Sequence, residues 1–133
     1  MQVDFYQLGG RYQDPIEVTA VLVAKAWPAH PRIAIVAAPE QLAALDTQLW
    51  QTPAERFLPH ELAPTSAPIS LMTQAPETAD VLINLDPLNA LPDGQYQRVL
   101  EIIPSDTAAR EPLRQRWRAW QQRGHTPRHH RLS

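Results

Sequence analysis

The sequence contains no cysteine, which excludes disulfides, a thiolate nucleophile and thiolate-bound zinc or iron–sulfur clusters. It also lacks an uninterrupted apolar run of about 18 residues, the minimum for a transmembrane helix. The first residues have neither the basic nor the apolar segment of a secretory signal. We therefore expect a cytoplasmic protein without redox chemistry and without a membrane partner.

Glycine is scarce, with 4 residues against 14 prolines, so we expect stiff loops. No G-x-x-x-x-G-K-[ST] segment occurs, and Gly9-Gly10 alone would form a glycine turn after a strand. The phosphate-binding loop of many nucleotide enzymes is therefore missing. His125, His129 and His130 alternate with arginines, which disfavour a bound cation. We expect no cofactor and no functional metal site.

Short apolar runs alternate with helical patterns along the 133 residues, which we expect to form one domain over residues 1–133. The predicted strands are 4–8, 32–38, 69–73, 79–85 and 96–103, and the predicted helices are 15–27, 39–50 and an arginine- and tryptophan-rich helix ending near 123. The first half of 96–103 is also compatible with a helix. Residues 53–68 look irregular, and 125–133 look like an open, flexible tail. This order predicts an α/β layered fold around a largely parallel sheet.

Charge is distributed unevenly between the two parts of the chain. Residues 1–104 carry 12 acidic and five basic residues, whereas residues 105–133 carry seven arginines and two acidic residues. A basic end on an acidic body indicates an anionic partner at that end. The alternative, a basic end that is merely solvated, stays open.

Four side chains of the last predicted helix share one face, because Arg110, Arg114, Trp117 and Arg118 stand at i, i+4, i+7 and i+8. Guanidinium groups beside an indole suit a short acidic peptide that ends in an aromatic residue and a carboxylate. The same set would bind single-stranded nucleic acid through stacking and phosphate contacts. A solvated arginine face over a packed tryptophan is the third alternative, and the pattern does not choose among them.

Pro112 affects whether Arg110 belongs to this helix. Proline has no N–H to donate and disfavours helical geometry at the preceding residue. We therefore expect the helix to begin near Pro112, with Arg110 just outside it, or a first segment to be broken there.

A second informative stretch follows the second predicted helix, where Trp50, Phe57 and Pro59 lie in a proline-stiffened segment. Large apolar residues on a rigid loop either enter the core or contact a partner. The run over residues 45–63, L-D-x-x-L-W-x-x-P-A-E-x-F-x-P-H-x-L-A, resembles the signature of the chi subunit family of bacterial DNA polymerase III holoenzyme. The resemblance covers nearly the whole chain, through Phe5-Tyr6-x-Leu8, Val81-Leu82-Ile83-x-Leu85 and Ile103-Pro104.

This resemblance implies a non-catalytic, replisome-associated accessory subunit with a three-layer α/β/α, Rossmann-like fold. It implies contact with the psi subunit, which links the protein to the clamp loader, and with the acidic, phenylalanine-terminated tail of single-stranded-DNA-binding protein. DNA would then be contacted only indirectly. The tail-binding positions fall on Arg110, Arg114, Trp117 and Arg118, with Ile103 lining the pocket. The surface for psi, or for an alternative partner such as a helicase, falls on Trp50, Phe57 and Pro59.

Two other functions remain as alternatives. One is a small nucleotide-binding enzyme on a Rossmann-like scaffold, which the missing phosphate loop disfavours. The other is a protein whose arginine-rich helix binds single-stranded DNA directly.

Overall fold

The computed structural model describes residues 1–51 and 58–132. Its strands are β1 (Gln2–Gln7), β2 (Ile33–Val36), β3 (His60–Leu62), β4 (Ile69–Met72), β5 (Thr78–Asn84), β6 (Gln95–Ile103) and β7 (Arg128–Arg131). Its helices are α1 (Pro15–Ala26), α2 (Pro39–Gln51) and α3 (Arg110–Gln122), and a short 3-10 turn (Thr107–Ala109) precedes α3. Within these described residues, the strands form one parallel sheet in the order β3-β4-β2-β5-β6-β1-β7.

Helices cover both faces of the sheet. Successive residues of a strand point to opposite faces, so each strand contributes side chains to both layers. On one face, Ile33 and Ile35 of β2 are buried in the core that α1 and α2 close. On the other face, Ala34 and Val36 belong to a second core, to which α3 contributes Trp120. The prediction of a three-layer α/β/α fold with a largely parallel sheet is confirmed.

Two local predictions in the sheet region need correction. The helical alternative for the first half of 96–103 is wrong, because β6 runs from Gln95 between β5 and β1 and bonds to both. The stretch 53–68 is not irregular throughout, because His60–Leu62 form the short edge strand β3 beside β4.

Helix α3 begins at Arg110 even though Pro112 is its third residue. The first four N–H groups of a helix have no carbonyl partner within it, so a proline in the first turn breaks no helical hydrogen bond. Asp106 opens the preceding 3-10 turn by accepting a hydrogen bond from the Ala109 N–H at 3.1 Å. The expectation that Arg110 lies outside the helix or on a broken segment is therefore wrong.

The end of the chain forms a strand where we expected an open tail. β7 pairs in parallel with β1, and the rings of His130 and Tyr6 stack with their centroids 4.8 Å apart. Side-chain hydrogen bonds hold β7 in place, from His130 to Asp4 at 2.8 Å and between His129 and Gln7 at 2.9 Å. The segment R-H-H-R has no apolar alternation, and its order depends on polar partners in β1 that lie far away in sequence.

Candidate functional site

Helix α3 and the sheet end formed by β1 and β7 enclose a groove of about 380 Å³. We call it the α3–β7 groove. Its lining residues are Gln7, Arg110, Leu113, Arg114, Trp117 and His129. The two arginines are exposed and lie one helical turn apart, so their guanidinium groups flank the groove with positive charge.

The indole of Trp117 forms the aromatic wall of the α3–β7 groove. It is half-buried and packs on the fully buried ring of Phe5, with 5.1 Å between ring centroids. The imidazole of His129 meets the same indole edge-on, at a centroid distance of 6.3 Å. The wall is therefore supported from the sheet and leaves part of its surface open to a ligand.

The structure brings three of the five predicted site residues together: Arg110, Arg114 and Trp117 line the groove. Arg118 is exposed on α3 directly after Trp117 but is not among the lining residues. Ile103, which we expected to line the pocket, is buried in the core on which Trp117 packs and is not among the lining residues of the groove.

Three further lining residues were not predicted for this site. Leu113 belongs to the apolar stripe of α3, so helical periodicity could have assigned it. Gln7 and His129 enter the groove only because β7 pairs with β1, and nothing local in the sequence indicates that pairing.

A buried polar cluster fixes α3 to the sheet. Glu101 of β6 is fully buried and accepts hydrogen bonds from Arg116 Nε at 2.7 Å and from Trp120 Nε1 at 3.0 Å through one carboxylate oxygen. Its other oxygen accepts from Asn84 Nδ2 at 2.7 Å. A buried glutamate inside an apolar strand needs a cation as its partner. Glu101 is therefore the sequence feature from which this cluster could have been predicted.

A second buried carboxylate holds β7 beside β1. Asp4 is fully buried and accepts hydrogen bonds from Arg98 at 2.9 Å, from Gln2 at 2.9 Å and from His130 at 2.8 Å. Burial alone would raise the pKa of Asp4, but these hydrogen bonds, with that of His130 the largest, lower its pKa below the ordinary value. The negative charge of Asp4 is thus retained inside the sheet, where it anchors the strand that carries His129.

A separate apolar patch lies at the opposite edge of the sheet. It consists of Trp50 and Leu62, which are 56% and 57% exposed, and the half-buried Pro59; we call it the Trp50–β3 patch. The Trp50 indole packs on buried His60 with 4.6 Å between ring centroids. Of the residues predicted for psi, Phe57 lies outside the described residues.

The comparisons with known proteins decide the family. The family model described as DNA polymerase III chi subunit, HolC, matches residues 1–128. The chain belongs to the chi subunit family. The resemblance found in residues 45–63 is thereby confirmed.

Three curated relatives of this chi-family chain carry the description DNA polymerase III subunit chi. The relative from Pseudomonas aeruginosa is 32% identical, and the alignment covers 98% of this chain and 96% of the relative. The relative from Escherichia coli is 27% identical over 81% of this chain and 79% of its own length. The relative from Haemophilus influenzae is 28% identical over 77% and 76%.

The chi-family chain also has a larger cavity, of about 720 Å³, between α1 and the open part of the sheet near β1 and β6. At the N-terminus of α1, its lining includes Asp14 and Glu17, and the Asp14 carboxylate accepts the Ile16 N–H at 2.9 Å. A nucleotide phosphate would need that helix end free of negative charge. This end of the cavity, at the N-terminus of α1, is therefore a poor site for a nucleotide phosphate. In the described parts of the chain, no helix is long and apolar enough to cross a bilayer.

Proposed function

We propose that this chi-family chain is a non-catalytic accessory subunit of DNA polymerase III that binds the acidic tail of single-stranded-DNA-binding protein in the α3–β7 groove. The observation that carries the proposal is the pair of exposed guanidinium groups, on Arg110 and Arg114, beside the half-buried Trp117 indole. Arginines bind carboxylates in bidentate geometry, and the indole with Leu113 offers an apolar contact to a terminal phenylalanine.

The charge around the groove supports an acidic peptide over DNA as the ligand. Its lining residues include two arginines and no acidic residue. The rest of the protein is acidic, with 12 acidic against five basic residues over residues 1–104. A long polyanion would meet this acidic body, whereas a short acidic tail contacts the basic end alone.

We assign the second partner, psi or another protein at the same surface, to the Trp50–β3 patch. The groove adjoins β7 and the patch adjoins β3, the two opposite edges of the sheet in the described chain. Six inter-strand spacings of about 4.8 Å separate these edges by roughly 30 Å, so both partners have room to bind at once. Simultaneous binding would link the clamp loader, through psi, to protein-coated single-stranded DNA, and the linked contacts would gain avidity.

The first experiment is a calorimetric titration of the protein with the last ten or so residues of single-stranded-DNA-binding protein, with and without the terminal phenylalanine. We expect saturable 1:1 binding that is lost without the phenylalanine. Arg114→Ala and Trp117→Ala should each weaken binding by about 1–3 kcal/mol, the effect of truncating an interface anchor. Arg32→Ala, which removes an exposed charge far from the groove, is the matched control and should change little.

Two outcomes would overturn this assignment. One is unchanged affinity for both groove variants. The other is equal affinity for the acidic peptide and for an oligothymidine of similar length, which would favour the direct DNA-binding alternative.

The second surface has its own test. Trp50→Ala should weaken binding to psi and leave the peptide titration unchanged, because Trp50 lies at the other edge of the sheet. Leu88→Ala is the matched control, since Leu88 is 81% exposed and apolar but lies in the loop after β5. Equal binding of psi by the wild type and by Trp50→Ala would remove this patch from the proposal.

A further inference from the structure

β7 is the outermost strand of the sheet in the described chain, and it pairs with β1 alone. The Leu132 N–H donates to the Gln7 carbonyl of β1 at 2.9 Å, so Leu132 directs its backbone groups toward β1. The N–H and C=O of one strand residue point to the same side, and successive residues alternate. His129 and Arg131 therefore direct their backbone N–H and C=O groups to the open edge.

This open edge is strongly basic. All four residues of β7 are arginine or histidine, and the side chains of Arg128, His129 and Arg131 are exposed. An edge of this kind repels a basic strand and attracts an acidic one.

The edge is also continuous with the α3–β7 groove. His129 belongs both to β7 and to the groove lining, and its ring contacts Trp117. Arg131 follows it two residues later, on the same face of the sheet. A chain that leaves the groove past His129 therefore meets the free backbone groups of β7 at once.

We infer that an acidic peptide seated in the groove continues along β7 as an added strand of the sheet. The inference rests on the proposed function and goes beyond it, because it makes the backbone of His129 and Arg131 part of the binding surface. Alternate acidic side chains of the peptide would lie on the groove side, near His129 and Arg131. The remaining ones would lie on the other side, near Arg128. Backbone bonds would supply affinity, and the basic side chains would select an acidic sequence.

The sharpest test uses N-methylated peptides. Two versions of the acidic peptide are made, each methylated on the backbone nitrogen of every second residue. The methylated positions of one version, which we call its frame, are shifted by one residue from those of the other. In an added strand only alternate N–H groups face β7, so one frame should lose about tenfold in affinity, the effect of losing two backbone hydrogen bonds, while the other stays close to the unmodified peptide. The two peptides are matched controls for the conformational effect of methylation.

The outcomes separate the two proposals. If the unmodified peptide does not bind, the proposed function fails. If it binds and is lost in Trp117→Ala, but both methylated frames bind equally, the proposed function stands and the added strand is wrong. The basic edge would then only repel other strands.

A protein-side test compares Arg131→Pro with Arg131→Ala. Both remove the guanidinium group, but only proline removes the outward N–H, and the bonds of β7 to β1 use the alternate residues. We expect the proline variant to bind the peptide several-fold more weakly than the alanine variant. Unchanged hydrogen-exchange protection of the Leu132 N–H, which donates to the Gln7 carbonyl, is the check that β7 stays paired with β1. Equal affinity of the two variants would contradict the inference.

Discussion

The buried carboxylate of Glu101 offers the most direct test of how α3 is fixed to the sheet. Glu101 is fully buried, and Arg116, which is 5% exposed, donates to it at 2.7 Å. Glu101→Gln removes the negative charge and places an amide N–H₂ among the donors of Arg116, Trp120 and Asn84. The Arg116 cation is then buried without a counter-charge, which costs about 3–5 kcal/mol of the free energy of unfolding.

Urea unfolding at neutral pH measures this loss. The urea dependence of the unfolding free energy is about 1–3 kcal/mol per M for small proteins, so a loss of about 4 kcal/mol lowers the midpoint by roughly 2 M. Glu101→Leu alone and Arg116→Met alone each leave one buried charge without its partner, whereas the two substitutions combined remove both charges together. Because neither charge is then left unpaired, the double variant should be more stable than the sum of the two single losses implies, by about 2–3 kcal/mol.

Two results would refute this reasoning. Single variants that each lose less than about 1 kcal/mol would show that the buried pair does not fix the helix. A double variant whose loss equals the sum of the single losses would show that Glu101 and Arg116 are not coupled across the 2.7 Å contact.

Two further predictions concern β7. Because the pKa of Asp4 lies below its ordinary value of 3.8, its charge stabilises the fold above about pH 4, and this contribution is lost as the pH falls through the folded-state pKa. Asp4→Asn should therefore be less stable than the wild type at pH 7, and urea titrations at stepped pH should show the difference closing below pH 3.8; a constant difference would contradict this. Gly9→Ala places a β-carbon 2.7 Å from the Leu132 carbonyl oxygen, so the end of β7 must shift. We expect a stability loss of about 1–3 kcal/mol and weaker peptide binding, and an unchanged melting temperature and affinity would refute the close packing.

Local patterns were sufficient to predict much of this protein. The apolar run of β2 predicts a strand buried on both faces, and helical spacing predicts that Arg110, Arg114 and Trp117 of α3 share one side. Such features depend on residues close together in sequence.

The features that were missed depend on distant partners. β7 contains only arginine and histidine, and its order comes from Asp4 and Gln7 in the first strand. Arg116 looks like any other arginine of α3, and its burial follows from Glu101 in β6. The first turn of α3 includes Pro112 because the 3-10 turn before it sets the helix start at Arg110.

The strand order has a consequence for how the protein is made. β1 is synthesised first, yet its sheet partners are β6 and β7, so it leaves the ribosome long before anything can pair with it. Gln7 and His129, which meet in the groove, are 122 residues apart in sequence. β7 is the last of the described strands in the chain, so the groove cannot close before that strand has been synthesised. A nascent chain that ends before β7 contains the residues of the Trp50–β3 patch but no complete groove, so on the proposed function recruitment through the groove would select molecules in which β7 is in place.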